Sequence, residues 1–246
     1  MSTIDVRGLG HTFGDLRVLK DVSLQAPGGT FASIVGPSAC GKSTLLRVLA
    51  GLLVPDEGTA EVGGVSTVSR PGLVSYMPQK DLLLPWRRVL GNATLGAEVG
   101  GIKRAEAKRQ AGALMERFGL AGFERAWPSQ LSGGMRQRLA LLRTFLAPAK
   151  TMLLDEPFGA LDAITRREMH GWLQSVLGAE QRTVLFITHD VEEALLLSDR
   201  VYVMSPRPGR IIADVPVTFP KPRPSGAVLA PEFIRLKAEL LGALGG

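Results

Sequence analysis

The chain has 246 residues, 45% hydrophobic and 21% charged, with 29 Lys and Arg against 23 Asp and Glu for a net charge of +6. This is globular composition, enough for one large or two small domains; it excludes a disordered or collagen-like chain, and scattered charge with 6% aromatics argues against direct nucleic-acid recognition. A single cysteine, Cys40, no signal-peptide stretch and no run of about 18 apolar residues predict a cytoplasmic chain that does not itself span a membrane.

Residues Ile4 to Phe13, Val18 to Ala26 and Thr30 to Val35 read as strands punctuated by Gly, Asp or Pro. Leu45, Val48, Leu49 and Leu52 then recur at helical spacing from Lys42 to Leu52, Gly58 to Val68 reads as a hairpin around Gly63-Gly64, and Leu73 to Met77 as a strand. Between about Arg88 and Leu146 the pattern is helical: Ala107, Ala111, Leu114, Met115 and Phe118 share a face, with Gly119 as a stop. There follow a strand at Thr151 to Leu154, a helix from Ala163 to Leu177, and a strand at Thr183 to Thr188. A further helix opens with Asp190 and Glu193 in capping-box spacing. Two strands between 200 and 217 are joined by Pro206-Arg207-Pro208-Gly209; Phe219 to Pro231 reads as extended and Glu232 to Leu241 as a short helix. Alternating β and α predicts a parallel sheet with helices on its faces.

The strongest local motif is Gly36-Pro37-Ser38-Ala39-Cys40-Gly41-Lys42-Ser43-Thr44, the G-x-x-x-x-G-K-S pattern between a strand and a helix. Small residues let backbone N–H groups curl around phosphate oxygens, Lys42 reaches the β and γ phosphates, and the Ser43 hydroxyl can ligate Mg²⁺. Cys40, without partner cysteines, reads as a small loop filler. A second motif, Thr151 to Glu156, ends an apolar strand in two carboxylates that cannot share a direction. In an ATPase Asp155 would hold Mg²⁺ and Glu156 would polarise the attacking water. A third, Leu131-Ser132-Gly133-Gly134-Met135-Arg136-Gln137-Arg138, opens a helix. Taken alone it is either an anion cradle or an ordinary serine N-cap followed by glycines.

With these three motifs in order the chain resembles the ATP-binding cassette transporter ATPases over roughly residues 4 to 216. The resemblance implies an α/β P-loop NTPase core of mainly parallel sheet (1–80 and 148–216) with an N-terminal antiparallel β part. It adds a helical sub-domain (81–147) carrying the signature and a short tail (217–246). It implies that Phe13 stacks on adenine, Gln79 senses Mg²⁺ and contacts the membrane partner, and His189 contacts the γ-phosphate. Ser132, Gly133 and Gly134 would cap ATP held by the phosphate loop of a second copy, in an ATP-dependent head-to-tail dimer. Three departures stand out. Ala39 replaces a usual glycine, which is tolerable only if its φ is negative; Met135 replaces a glutamine; and Phe13 replaces a frequent tyrosine.

The apolar run Leu82-Leu83-Leu84-Pro85-Trp86-Arg87-Arg88-Val89 reads either as packing under the helical region or as a groove for a short permease helix, contacted by Arg87 or Arg88. With Phe158 to Ala163 and Met204 to Arg210 it is similar to importer ATPases of the nitrate, sulfonate and taurine group. Their partners are transmembrane permease subunits and, indirectly, a solute-binding protein, at the cytoplasmic face of the inner membrane. A soluble, non-transport ATPase of the same superfamily is the alternative.

Overall fold

The computed structural model describes residues 2–245, apart from the side chains of residues 177–179 and 225. Strands β1 (Ile4–Phe13) and β2 (Leu16–Ala26) form an antiparallel pair, followed by β3 (Phe31–Val35), α1 (Lys42–Leu49), β4 (Glu57–Val62), β5 (Val65–Ser66) and β6 (Ser75–Met77). Four helices come next: α2 (Val89–Ala93), α3 (Leu95–Val99), α4 (Arg104–Met115) and α5 (Gly133–Leu146). The chain then runs through β7 (Thr151–Asp155), α6 (Ala163–Glu180), β8 (Thr183–Ile187), α7 (Val191–Leu197), β9 (Arg200–Met204), β10 (Ile211–Pro216) and α8 (Pro231–Gly245).

Two sheets result. One is antiparallel in the order β2-β1-β4-β5; the other has the order β10-β9-β3-β8-β7-β6, in which only β10 runs antiparallel to its neighbour. Strands β3, β7 and β8 are buried at every position, as continuous apolar runs covered on both faces should be. Their side chains alternate between two cores. Leu153, Leu185 and Ile187 pack with Leu45, Leu46 and Leu49 of α1 and with the inner face of the antiparallel sheet. Met152, Leu154, Val184 and Phe186 face the other way, against Leu139 and Leu142 of α5 and Trp172 of α6. Burying each such side chain contributes roughly 1.5–3 kcal/mol, so a one-residue slip of either strand would exchange the two cores at large cost.

Most predicted elements are present, with shifted ends. The helix begun at Lys42 stops at Leu49 rather than Leu52, and the strand before Met77 starts at Ser75 rather than Leu73. Helix α4 ends at Met115, and the chain turns through Gly119 while Leu120 N–H returns to the Met115 carbonyl. The Asp190 carboxylate accepts from the N–H groups of Glu192 and Glu193, as an N-cap does. Glu193 does not complete the capping box: its carboxylate binds His170 Nε2 of α6 at 2.8 Å, in a buried pair.

The tail departs further from the expected extended form. It contains a 3₁₀ turn at Ser225–Leu229, and α8 runs past Leu241 to Gly245, burying Phe233, Leu236 and Leu240 against β9, β10 and α7. Arg223, 3% exposed, anchors it. Its guanidinium donates to the carbonyls of Leu195, Ser198, Val217 and Phe219, and burial pushes its pKa down to about 10, so it stays charged at neutral pH. Arg223→Met leaves those carbonyls without their donor and is expected to cost about 3 kcal/mol, read as a lower urea midpoint. An unchanged midpoint would mean that the tail is held by its apolar contacts alone.

Candidate functional site

Strands β3, β8 and β7 are parallel neighbours in register, Ile34 beside Ile187 and Ile187 beside Asp155. Their carboxyl ends therefore deliver the Gly36–Thr44 loop, His189 and the Asp155-Glu156 pair to one edge of the sheet, where ligands of open α/β sheets bind. The loop enters α1 through Gly41, whose φ of 114° excludes other residues. No side chain caps α1, so its first-turn N–H groups and their positive end face the loop. Lys42, buried, donates its ammonium to the Gly36 and Pro37 carbonyls, both at 2.8 Å, and lies 3.7 Å from Cys40 Sγ. Pairing of this kind makes a buried cation tolerable.

Asp155 is 2% exposed, with the Ser43 hydroxyl beside its carboxylate. Burial pushes its carboxyl above the usual carboxylate range; the neighbouring Ser43 hydroxyl opposes this, Glu156 adds to it, and the Lys42 charge works against it. A buried acid whose charge is disfavoured, next to a hydroxyl, is an oxygen-donor pair suited to a hard divalent cation that would offset the cost. Glu156 has φ 49°, an unusual backbone conformation for a non-glycine residue. Its N–H donates to the Ile187 carbonyl and its Oε2 accepts from Gln79 Nε2 at 3.2 Å, with His189 Nδ1 3.6 Å away. Among the described residues Oε1 makes no hydrogen bond.

A cleft of about 480 Å³ brings together Phe13, residues 38–44, Gln79 and Glu156. Phe13 is 43% exposed there, its ring nearly perpendicular to that of His11 with centroids 4.5 Å apart, which leaves ring surface available for stacking. His189 is exposed on the far side of Glu156 in a smaller cleft with Arg166 and Glu193. Ser132, Gly133 and Gly134 lie outside the cleft, at the start of α5, where the Ser132 hydroxyl caps the Met135 N–H. The Met135 side chain packs on the helical core.

Ala39 falls on the unfavourable side of the condition set by its side chain: its φ is 60°, in the left-handed region. In the apolar run, Leu83 packs against the core, Trp86 is exposed, and it is Leu82 that lines a large groove with Leu52, Tyr76, Pro78, Leu95 and Val99. Arg88 stacks on Trp127 and donates to the Arg125 carbonyl, whereas Arg87 reaches the Gly91 carbonyl and Glu98.

Two residues not singled out for the site from sequence stand at it. Gln137 of α5, 8% exposed, donates to the Glu156 carbonyl at 2.9 Å and accepts from Ala160 N–H at 2.7 Å, tying the helical region to the turn after β7. Its place in the Leu131–Arg138 motif was the available signal. Arg207 lines the main cleft from the β9–β10 turn, without a motif that would assign it there.

A strand-to-helix phosphate loop beside a strand ending in paired acids defines a P-loop nucleotide-binding protein. Residues 19–159 match the family described as ABC transporter. Among curated proteins, the aliphatic sulfonates import ATP-binding proteins SsuB 1 and SsuB 2 of Rhodococcus jostii (strain RHA1) are 46% and 47% identical to the chain. The alignments cover 98% and 99% of it and 93% of each relative. Among solved structures, dimeric MJ0796, a bacterial ABC transporter cassette, superposes with a TM-score of 0.80 at 27% identity, covering 88% of this chain and 99% of that one. A post-hydrolysis state of the same cassette bound to ADP and Pi gives a TM-score of 0.79 at 25% identity, with the same shares covered. The chain belongs to the ABC transporter family and is an ATP-binding cassette ATPase.

The left-handed Ala39 makes one outcome testable at the phosphate loop. Ala39→Gly relieves the Cβ at φ 60° and should stabilise the apo protein by about 0.5–1 kcal/mol in thermal melts, net of the extra freedom glycine brings to the unfolded chain. A fall in melting temperature would show that the loop carries no strain at this position.

Proposed function

We propose that this protein is the ATP-hydrolysing subunit of an importer, working as a pair of copies on a membrane permease at the cytoplasmic face of the inner membrane. The observation that carries the hydrolytic part is the convergence on Glu156 of Gln79 and His189, one strand-end away from the Ser43–Asp155 pair. In this reading the loop N–H groups and Lys42 bind the phosphates, Lys42 exchanging its two carbonyl partners for phosphate oxygens. Ser43 and Asp155, with Gln79 beside them, hold Mg²⁺, which when bound neutralises phosphate charge. Glu156 accepts the proton of the attacking water as the water oxygen bonds to Pγ and the bond from Pγ to the ADP oxygen breaks. His189 donates to the γ-phosphate oxygens, and Phe13 stacks on the adenine.

Glu156→Gln keeps the side-chain shape but removes the proton acceptor. It should retain Mg-ATP binding while steady-state hydrolysis falls by about 10²-fold or more. Turnover within a few-fold of wild type would remove Glu156 from the role of base.

Because Ser132, Gly133 and Gly134 lie outside the cleft of their own chain, a second copy placed head to tail would bring them to the γ-phosphate of the first. ATP then favours the closed pair, and loss of the γ-phosphate opens it. The groove beside Leu82, lined by exposed Leu52 and Val99, is suited to a short permease helix laid across it. That groove, and near full-length similarity to import subunits, favour transport over a soluble ATPase of the same superfamily. Aliphatic sulfonates are the cargo class the relatives indicate, reaching the permease through a solute-binding protein. Ser132→Arg should abolish the ATP-dependent dimer in light scattering, together with the rise in activity per chain with concentration, while leaving ATP bound at its own phosphate loop. A fully active monomer would rule out the composite site.

A further inference from the structure

The β9–β10 turn, Ser205 to Arg210, is tied to the nucleotide cleft and not merely to its own hairpin. The Ser205 hydroxyl accepts from Arg210 N–H and donates to the Pro206 carbonyl, which fixes the turn internally. Gly209 then pairs with β2, its N–H donating to the Val18 carbonyl at 2.8 Å while its carbonyl accepts from Lys20 N–H at 3.1 Å. Gly209 is buried against the phosphate loop so closely that a Cβ would collide with the Cys40 carbonyl and meet Met204 Sδ at 3.0 Å. The turn is thus wedged between β2 and the phosphate loop, and the position of its outermost residue is set by both.

That outermost residue is Arg207. It is exposed, it lines the cleft, and among the described residues its guanidinium makes no ion pair or hydrogen bond. The cleft has two ends. Gln79 and Glu156 mark the γ-phosphate end; Phe13, Leu16 and Val18, all on β1 and β2, mark the other, and the turn carrying Arg207 is hydrogen-bonded to Val18 itself. Around that second end the other named side chains are apolar, and the Phe13 ring covers one face of a base only. A guanidinium is planar, weakly hydrated and stacks on aromatic faces.

We propose that Arg207 is a nucleotide-binding residue that closes the base-and-ribose end of the cleft, its guanidinium held there by the Gly209 contacts to Val18 and Cys40. The inference rests on the nucleotide site described above and adds to it a contact from the turn after β9, the parallel neighbour of β3. The backbone that carries Arg207 is fixed by hydrogen bonds within the protein itself, so the contact costs mainly the ordering of one side chain.

The test uses the full chain and three variants, Arg207→Ala, Arg207→Lys and Lys42→Ala, titrated with ATP and, in competition, with inorganic tripolyphosphate, which has neither base nor ribose. Arg207→Ala should weaken ATP binding by about fivefold to twentyfold. It should leave tripolyphosphate competition and the apo melting temperature unchanged. Arg207→Lys, which keeps the charge but not the planar group, should fall between Arg207→Ala and wild type. Unchanged ATP affinity in Arg207→Ala would overturn the inference. So would an equal loss for tripolyphosphate, because that would place the contact on the phosphates. Lys42→Ala separates this failure from that of the site itself: it should weaken both ligands, and if it weakens neither, the nucleotide site is misassigned, whatever Arg207 does.

Discussion

The parallel register of β3, β8 and β7 is the constraint on which the rest depends. Three buried strands ending at one level place the phosphate loop, His189 and the two acids within reach of one another, although they come from widely separated parts of the sequence. The register is held by the division of alternate side chains between two cores. Leu153 and Ile187 cannot change places with Met152 and Phe186 without emptying one core and overfilling the other.

Against that rigid edge the site itself is costly. Asp155 is buried with its charge disfavoured, Lys42 is buried on two loop carbonyls, and both Ala39 and Glu156 are held at positive φ. Each such backbone position costs on the order of 1–3 kcal/mol, which a well-packed sheet can sustain. The arrangement suits the proposed ligand, a nucleotide polyanion with its divalent cation. Charges that are awkward in the free chain are compensated when that ligand is present, so binding energy and the relief of the site are coupled.

The surrounding elements act by bracing the edge. Gln137 connects α5 to the turn between Glu156 and Ala160, which gives the helical region a direct polar link to the residue facing the cleft. His170 and Glu193 join α6 to α7 directly behind the His189 turn. Arg223 fastens the C-terminal segment to the end of α7, and Gly209 locks the β9–β10 turn against β2 and the phosphate loop. Through Gln137, movement of the helical region relative to the sheet would reach the Glu156 backbone directly.

What the sequence determined by itself was whatever local backbone chemistry decides. The strand-to-helix phosphate loop, the apolar strand ending in Asp155-Glu156, the Asp190 cap and the buried face of α4 are each written in a few consecutive or periodic residues. Their order along the chain sufficed for the family. Side-chain partners and exact exposures were decided by the tertiary structure. Glu193 has the spacing of a capping box, yet it turns to His170, because α6 brings a buried imidazole that needs an acceptor more than the solvated end of α7 needs a second cap. Leu82 and Leu83 look alike in sequence, but only one can face the core where the chain leaves the Gln79 loop. Arg207 and Gln137 carry no periodic signature, and the left-handed conformation of Ala39 is imposed by the loop around it. Propensity and periodicity act over a handful of residues, whereas these outcomes depend on which strands become neighbours, a choice settled by burial across the whole sheet.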